Sequence, residues 1–296
     1  MSSYCGYIAL VGRPNVGKST LLNRLVAQKI SITSNKPQTT RHRILGVNTI
    51  NEFQFIYVDT PGIHLGAKKM LNRVLNKTAR NALQGVNIII FIIDSLHWTA
   101  EDEHVLCLIK KLANIPCILL INKVDKLTNK LSLLPWLEKL NNFFNFVAII
   151  SASAKTGMQI DVLQQELKKL LLPGPHEFAT DICTDRSLIF LCTEILREKI
   201  FRFCGQELPY STAIAIESYQ DNGQRILINA LILVNKVNHK QMIIGKQGKK
   251  LKEIASKARL EMEKIIGKPV YLQSFCKVKP QWIDDQQQLQ QLGYGD

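Results

Sequence analysis

The chain has 296 residues, with 38 Lys plus Arg against 24 Asp plus Glu and a formal net charge of +14 at pH 7. Hydrophobic residues make up 46% of it against 16 Gly and 10 Pro, which excludes a miniprotein, a collagen-like chain and a mostly disordered one and predicts one large or two ordinary folded domains. The surplus of positive charge points to a polyanionic partner, RNA, DNA or an anionic membrane surface, without choosing among them.

From the N-terminus to about residue 172, short runs rich in Ile and Val alternate with segments of helical periodicity, the grammar of an α/β domain. Strands are predicted at Tyr7–Val11, Ile44–Ile50, Phe53–Val58, Ile88–Ile93, Cys117–Ile121 and Phe146–Ile150, with helices starting near Gly17, Lys69, Ala100, Leu133 and Met158. Several of these strands are almost wholly apolar, as strands buried on both faces of a mainly parallel sheet must be. Residues 1–11 lack the basic start and long apolar stretch of a signal peptide. The most apolar later run, Val86–Ile93, is cut by Asp94 far short of a bilayer, so no membrane crossing is expected. Seven scattered cysteines (Cys5, Cys107, Cys117, Cys183, Cys192, Cys204, Cys276) contain no C-x-x-C pair, suggest neither a disulfide framework nor a zinc site, and fit a reducing cytosol.

The breakers Leu172-Pro173-Gly174-Pro175-His176 end this pattern, so a linker is placed at 173–180 between a first domain, 1–172, and a second, 181–296. The second reads as a small α+β domain. A helix is expected over about Arg186–Cys204, strands near Ser211–Tyr219 and Arg225–Val234, a helical stretch Met242–Ile266, a strand Val270–Val278 and a last short helix from about Gln281. Residues 1–172 hold 21 basic and 10 acidic side chains and residues 173–296 hold 17 and 14, so the surplus is not confined to the second domain. Within that domain Lys236, Lys240, Lys246, Lys249, Lys250, Lys252 and Lys257 nevertheless crowd one stretch against Glu253 alone. Leu251, Ile254, Ala255, Ala258, Met262 and Ile265 recur at helical spacing and are read as core.

Five motifs carry chemistry. Gly12-Arg13-Pro14-Asn15-Val16-Gly17-Lys18-Ser19 follows the first strand and opens a helix, the setting a G-x-x-x-x-G-K-[ST] phosphate loop needs. Its backbone NH groups would converge on phosphate, with Lys18 on the β and γ groups and the Ser19 hydroxyl on Mg²⁺. Asp59-Thr60-Pro61-Gly62 ends the third strand, where Asp59 would hold Mg²⁺ through water and the Gly62 NH would meet the γ phosphate. The polar string Pro37–Arg43 reads as a loop that orders when Thr40, chosen over Thr39, reaches metal and phosphate. Asn122-Lys123-Val124-Asp125 follows a strand at the carboxyl edge of the sheet. The Asp125 carboxylate can accept from both donors of guanine and finds no such pair on adenine. Ser153-Ala154-Lys155 completes the base-binding set, although alone it equally suits a helix cap.

The nucleotide contacts expected are therefore Gly12, Asn15, Val16, Gly17, Lys18, Ser19, Thr20, Asp59, Thr60, Pro61, Gly62, Asn122, Lys123, Asp125, Ser153, Ala154 and Lys155. Lys18, Thr40 and Gly62 are placed at the transferring phosphoryl group, and Ser19, Thr40 and Asp59 at Mg²⁺. Ile63 follows the third-strand motif and cannot orient water as a glutamine would, so slow intrinsic hydrolysis is expected. His42 and His64 read as solvated groups and Glu101-Asp102-Glu103 as a favourable acidic helix start.

The motifs resemble those of the translation-factor class of GTPases, and the details are similar to the Era family within the TrmE-Era-EngA group of P-loop GTPases. The resemblance spans essentially the whole chain. It adds Ile63-His64, Glu194-Ile195-Leu196-Arg197-Glu198-Lys199, Glu207-Leu208-Pro209-Tyr210-Ser211, Gly245-Lys246-Gln247-Gly248 and Leu292-Gly293-Tyr294 to the nucleotide motifs. Cys192-Thr193 stands where Ala-Ser is expected and Asn87 where Asp is usual, and neither touches a motif.

The resemblance implies a P-loop GTPase domain with a doubly wound mixed sheet, followed by a smaller α+β KH domain of type II. Its G-x-x-G loop and neighbours, Gly245, Lys246, Gln247, Gly248, Lys249 and Lys250, would grip small-subunit ribosomal RNA near its 3′ end, and the order helix, strand, strand, helix, helix, strand agrees with that module. The family further implies maturation of the small ribosomal subunit. A monomer in the cytoplasm is expected, and the net charge of +14 adds weak association with an anionic membrane surface, as a peripheral inner-membrane fraction, to the expectations. Asn15 admits two readings, a ligand to a K⁺ ion or a residue bonding its own loop. Two rivals stand beside this expectation. A nucleotide-regulated peripheral membrane protein is disfavoured because no long basic amphipathic helix is visible. A structural protein with a dead nucleotide site is disfavoured by the intact Lys18, Ser19, Thr40, Asp59 and Asp125.

Overall fold

The computed structural model describes every residue except 1, 2, 35, 37, 38, 64–69, 96, 113, 130–132, 206, 207, 293, 295 and 296. Its larger sheet contains β1 (Tyr4–Val11), β2 (Ile44–Ile50), β3 (Phe53–Asp59), β4 (Ile88–Asp94), β5 (Cys117–Asn122) and β6 (Ala148–Ser151) in the order β2-β3-β1-β4-β5-β6. β2 is antiparallel to β3 and the other neighbours are parallel, which makes the sheet mixed. β4 and β5, the most apolar of the expected strands, are buried at every residue. Helices α1 (Lys18–Val26), α2 (Met70–Asn81), α3 (Ala100–Lys110), α4 (Leu134–Asn141) and α5 (Ile160–Leu170) connect them. The parallel strands all end at one edge, so Val11, Asp59, Asp94, Asn122 and Ser151 present the following loops together.

β6 begins at Ala148, two residues later than expected, because Phe146 turns into the core, where it stacks on Phe91 and meets Phe144 edge-on. A two-residue strand, β7 (Leu172–Pro173), lies where the sequence predicts none and pairs antiparallel with Tyr4 and Cys5 of β1. Asn87, the departure from the family pattern, accepts the Tyr7 NH on its Oδ1 at 2.7 Å, a role any side-chain carbonyl oxygen there can fill.

Two compact units are distinguished along the chain. The first holds the larger sheet and extends beyond residue 172 to Asp185. The segment expected as the linker is bound to it. Gln54, completely buried on β3, accepts the NH groups of Glu177 and Phe178 and donates to the Phe178 carbonyl, while Cys183 O accepts from Val47 N. The second unit comprises Arg186 onward together with the described residues of 32–39 and 70–74.

In that second unit α6 (Leu188–Phe203) is capped by Ser187. β8 (Thr212–Asp221), β9 (Ile226–Val234), α7 (Val237–Ile244), α8 (Lys249–Ile266) and β10 (Val270–Val278) follow. The sheet order is β10-β9-β8, with β9 antiparallel to β8 and parallel to β10, and the helices cover one face. Ile254, Ala258 and Met262 of the α8 stripe are buried against Ile195, Ile228 and Ile232, with Leu251 and Ile265 at its rim. The last helix, α9 (Gln286–Gln291), starts five residues later than expected. Trp282 is fully buried, and Asp285 caps the helix through the NH groups of Gln287 and Gln288. No helix among the described residues is long and apolar enough to cross a membrane.

Candidate functional site

The loop after β1 owes its shape to positions where a side chain cannot sit. Gly17 has φ 104°, and a Cβ there would lie 2.3 Å from Asn122 Nδ2. That amide donates to the Val16 carbonyl at 2.7 Å, and its Oδ1 accepts from Ala154 N at 2.9 Å, so Asn122 ties the phosphate loop to the Ser153–Lys155 loop. Gly62 is equally constrained, because a Cβ would meet Pro14 at 2.8 Å. The strand-end segment Asp59–Gly62 therefore lies directly against the phosphate loop, with Thr60 donating to Leu10 O at 3.3 Å. Gly12 and Val16 are buried and Thr20 half-buried in this framework. Asn15 has φ 63° and gives its carbonyl to Lys123 Nζ, whose second partner is Asp94 Oδ2 at 2.7 Å. Asp94, at the end of β4, belongs to the site although no sequence motif marks it.

Below the loop four oxygen-bearing side chains converge. Ser19 Oγ lies 2.8 Å from Thr40 Oγ1 and donates to Asp59 Oδ2 at 2.7 Å, and Ser31 Oγ donates to the same carboxylate oxygen at 3.1 Å. Asp59 is fully buried, and its Oδ1 has no hydrogen-bond partner among the described residues. The Ser19 and Thr40 hydroxyls and a carboxylate with an unsatisfied oxygen form a hard donor set, which fits Mg²⁺. Thr39 does not reach this cluster. Its hydroxyl donates to Lys36 O at 2.6 Å and its carbonyl accepts from Arg197 Nη2 at 2.6 Å, and it groups with the second unit while Thr40 groups with the first. The string expected to form one loop is thus divided between its two threonines, with Pro37 and Gln38 outside the described residues.

Lys18 Nζ donates to Gly12 O and Arg13 O at 3.0 and 2.9 Å. Burial lowers its pKa to about 8 although Asp59 opposes the shift, and burial raises that of Asp59 against the pull of Lys18. Each group gains from an opposite charge brought to it, phosphate for the lysine and a cation for the carboxylate. Ile63 is packed into the hydrophobic core and presents no polar atom to this region. His64 lies outside the described residues.

At the other end of the site Asp125 is exposed, in a single turn entered through Lys123 at φ 66°. Ser153 Oγ donates to Asp125 Oδ1 at 2.6 Å and orients the carboxylate. Arg24 of α1 holds the same loop from beneath, donating to Ala154 O and to Lys155 O, while the Lys155 side chain is exposed. Arg24 and Ser31 are local to neither motif, so spacing cannot find them.

In the second unit Gly245, at φ 70°, ends α7, and a Cβ there would come within 2.6 Å of Lys250 Cβ. Gln247 and Gly248 also have positive φ, and Gly248 has nothing within 4 Å of a Cβ position. Lys246, Gln247 and Lys249 are exposed and Lys250 half-buried, so the turn puts backbone and positive charge at the surface together.

Residues 7–123 match a family model described as a 50S ribosome-binding GTPase, and residues 207–283 match one described as a KH domain. The chain is 48% identical to the GTPase Era of Vibrio vulnificus, covering 100% of this chain and 92% of that one. It is 49% identical to GTPase Era of Coxiella burnetii, covering 99% and 98%. Among solved structures, a point variant of Aquifex aeolicus Era bound to GDP and AlF4⁻ superposes with a TM-score of 0.96 at 39% identity, covering 99% of this chain and all of the other. An Era complex with MgGDPNP and nucleotides 1506–1542 of 16S ribosomal RNA superposes with a TM-score of 0.96 at 38% identity over the same shares.

Proposed function

The chain belongs to the Era family of GTPases, and from that premise we propose that it hydrolyses GTP to GDP and phosphate while binding 16S ribosomal RNA near its 3′ end, in maturation of the small ribosomal subunit. GTPase activity follows from the family. The RNA assignment takes support from the Era relative described with MgGDPNP and 16S nucleotides, which spans the whole of this chain. The family model over residues 7–123 names the large subunit instead. It covers only the nucleotide-binding part, whereas the RNA reading concerns residues 207–283.

In the reaction, loop NH groups and Lys18 hold the phosphates, and Lys18 exchanges its contacts with Gly12 O and Arg13 O for phosphate oxygens. Ser19, Thr40 and, through water, Asp59 would hold Mg²⁺, which would supply neutralisation of the phosphate charge. Gly62, fixed against Pro14, brings its NH to the γ phosphate, and Thr40 closes over it. Asp125, steadied by Ser153, selects guanine. With Ile63 in the core, no side chain at that position orients the attacking water, so turnover is slow and hydrolysis acts as a timer on RNA binding. The protein acts in the cytoplasm as a monomer.

The observation that carries the RNA half of this reading is the Gly245–Gly248 turn, with exposed backbone and lysines between two helices, the arrangement with which KH modules clamp a nucleic-acid backbone. Gly248→Asp tests it. The Cβ position is open, and Asp is among the side chains that tolerate the positive φ of 76° there, so the variant is expected to fold at a modest cost, with its charge facing the phosphates. Specific 16S binding is lost while GTP hydrolysis stays near wild type. Wild-type RNA affinity in a folded Gly248→Asp protein, checked by circular dichroism, would place the RNA site elsewhere.

A further inference from the structure

One face of the second unit's sheet is covered by helices and the other is open over most of its length, with Leu233 and its neighbour Ala213 buried at one end. On β9 and β10 the residues alternate between the two faces. Ile226, Ile228, Ala230, Ile232 and Val270 join the helix-covered core, with Leu272 and Cys276 packed against it. The intervening residues face the other way, and the parallel register sets them in pairs: Leu227 beside Tyr271, Asn229 beside Gln273, Leu231 beside Phe275 and Leu233 beside Lys277. Tyr271 and Phe275 are 51% and 56% exposed, unusual for aromatic side chains in a strand. Four residues apart, they stand about 13 Å from each other along the strand.

We propose that this open face is a second RNA surface, on which Tyr271 and Phe275 stack bases of single-stranded RNA extending from the Gly245–Gly248 loop. The proposal rests on the RNA reading of the second unit given above. Its chemistry favours RNA over the other occupants of an aromatic face. The eight facing positions on β9 and β10 include one cation, Lys277, and no carboxylate, so these two strands do not repel a polyanion, and the exposed Glu217 lies on β8, the far strand of the sheet. The aromatics do not form a continuous apolar patch. Gln273 and Asn229 lie between the two aromatic rungs, with Gln273 Nε2 donating to Tyr271 Oη at 3.3 Å and Asn229 Nδ2 to Ser218 Oγ at 2.8 Å across the β8–β9 pair. Amides between aromatic planes offer hydrogen bonds to base edges, as platforms for single-stranded nucleic acid do. A lipid surface would call for several cations around unbroken apolar area, which these two strands lack. β10 is an edge strand, so RNA can pass around it from the helix side to the open side.

The test uses full-length protein and two synthetic RNAs, one of about four nucleotides, the span a KH loop clamps, and the 16S segment 1506–1542. Wild type binds the longer RNA more tightly. Tyr271→Ala and Phe275→Ala each reduce that advantage by about 5- to 150-fold, the range found for loss of one stacked base. Both leave the short RNA and GTP turnover unchanged. Phe275→Leu behaves like Phe275→Ala because it keeps apolar area without a π face, and Phe275→Trp retains the advantage. Gly248→Asp weakens both RNAs if the loop reading holds. If it weakens neither while the aromatic variants still lose the long RNA, the loop reading fails and the platform stands. Unaltered binding of the long RNA by folded Tyr271→Ala and Phe275→Ala overturns the proposal. So does a loss confined to binding of anionic vesicles or to self-association.

Discussion

Arg13 Nε donates to Asp102 Oδ2 at 2.9 Å, joining the second residue of the phosphate loop to the first turn of α3. Asp102 is completely buried, and the same oxygen also accepts the NH and hydroxyl of Thr99. The acidic helix start therefore does more than complement a dipole, because one of its carboxylates anchors the loop whose Arg13 carbonyl receives Lys18.

Asp102→Asn keeps an acceptor for Thr99 and removes the charge that holds Arg13. A loop that is less ordered before substrate arrives weakens ground and transition states alike, so KM for GTP is expected to rise about tenfold with kcat changed less than about twofold. Steady-state kinetics decide. A fall in kcat at constant KM would mean that the pair acts in the chemical step instead.

Proton linkage follows from the buried lysine. Its pKa is lowered to about 8 by burial, and phosphate raises it again, so nucleotide binding takes up a proton above pH 8. Affinity is flat with respect to Lys18 below that pH. As pH rises from about 8 toward the bound-state value it falls by up to about tenfold per unit. Calorimetry at about pH 9, above the free-state value, in buffers of different ionisation enthalpy measures the uptake directly, and a buffer-independent heat would contradict it.

Base choice resides in Asp125. Asp125→Asn is expected to weaken GTP and favour xanthosine nucleotides, whose carbonyl replaces the guanine amino group, while ATP competes poorly with GTP at the wild-type site. Competition binding reads both effects. Similar specificity constants for ATP and GTP in the wild type would remove the guanine-edge argument.

Turnover without partners is expected to be slow because Ile63 is buried, and faster in potassium than in sodium at equal ionic strength, with the difference lost in Asn15→Ala. Phosphate release in the two salts separates the ideas. Equal rates eliminate the potassium role of Asn15, and a fast basal rate eliminates the consequence drawn from Ile63.

The features legible in the sequence are those whose chemistry lies within a few residues. Gly12 to Ser19, Asn122 to Asp125 and the Gly245 turn announce themselves through glycines and spacing, and the all-apolar β4 and β5 through composition. What escapes reading depends on partners far along the chain. Arg24 supports a loop at Ala154 and Lys155, Ser31 and Ser19 share one Asp59 oxygen, and Asp94 pairs with Lys123. Each is an ordinary polar residue locally, and only the sheet brings it to the site. The division of the string at Thr39 and Thr40 escapes for the same reason, since the hold on Thr39 comes from Arg197.

Gln54 gives the chain its natural place for cutting. Its amide serves Glu177 and Phe178 as a neighbouring strand would, from a position without solvent access. A nucleotide-binding fragment ended at Leu172 would strip that side chain of these three backbone hydrogen bonds and uncover the part of β3 on which the segment packs. A fragment carried to Asp185 keeps them, so the shorter piece should aggregate or digest where the longer one survives.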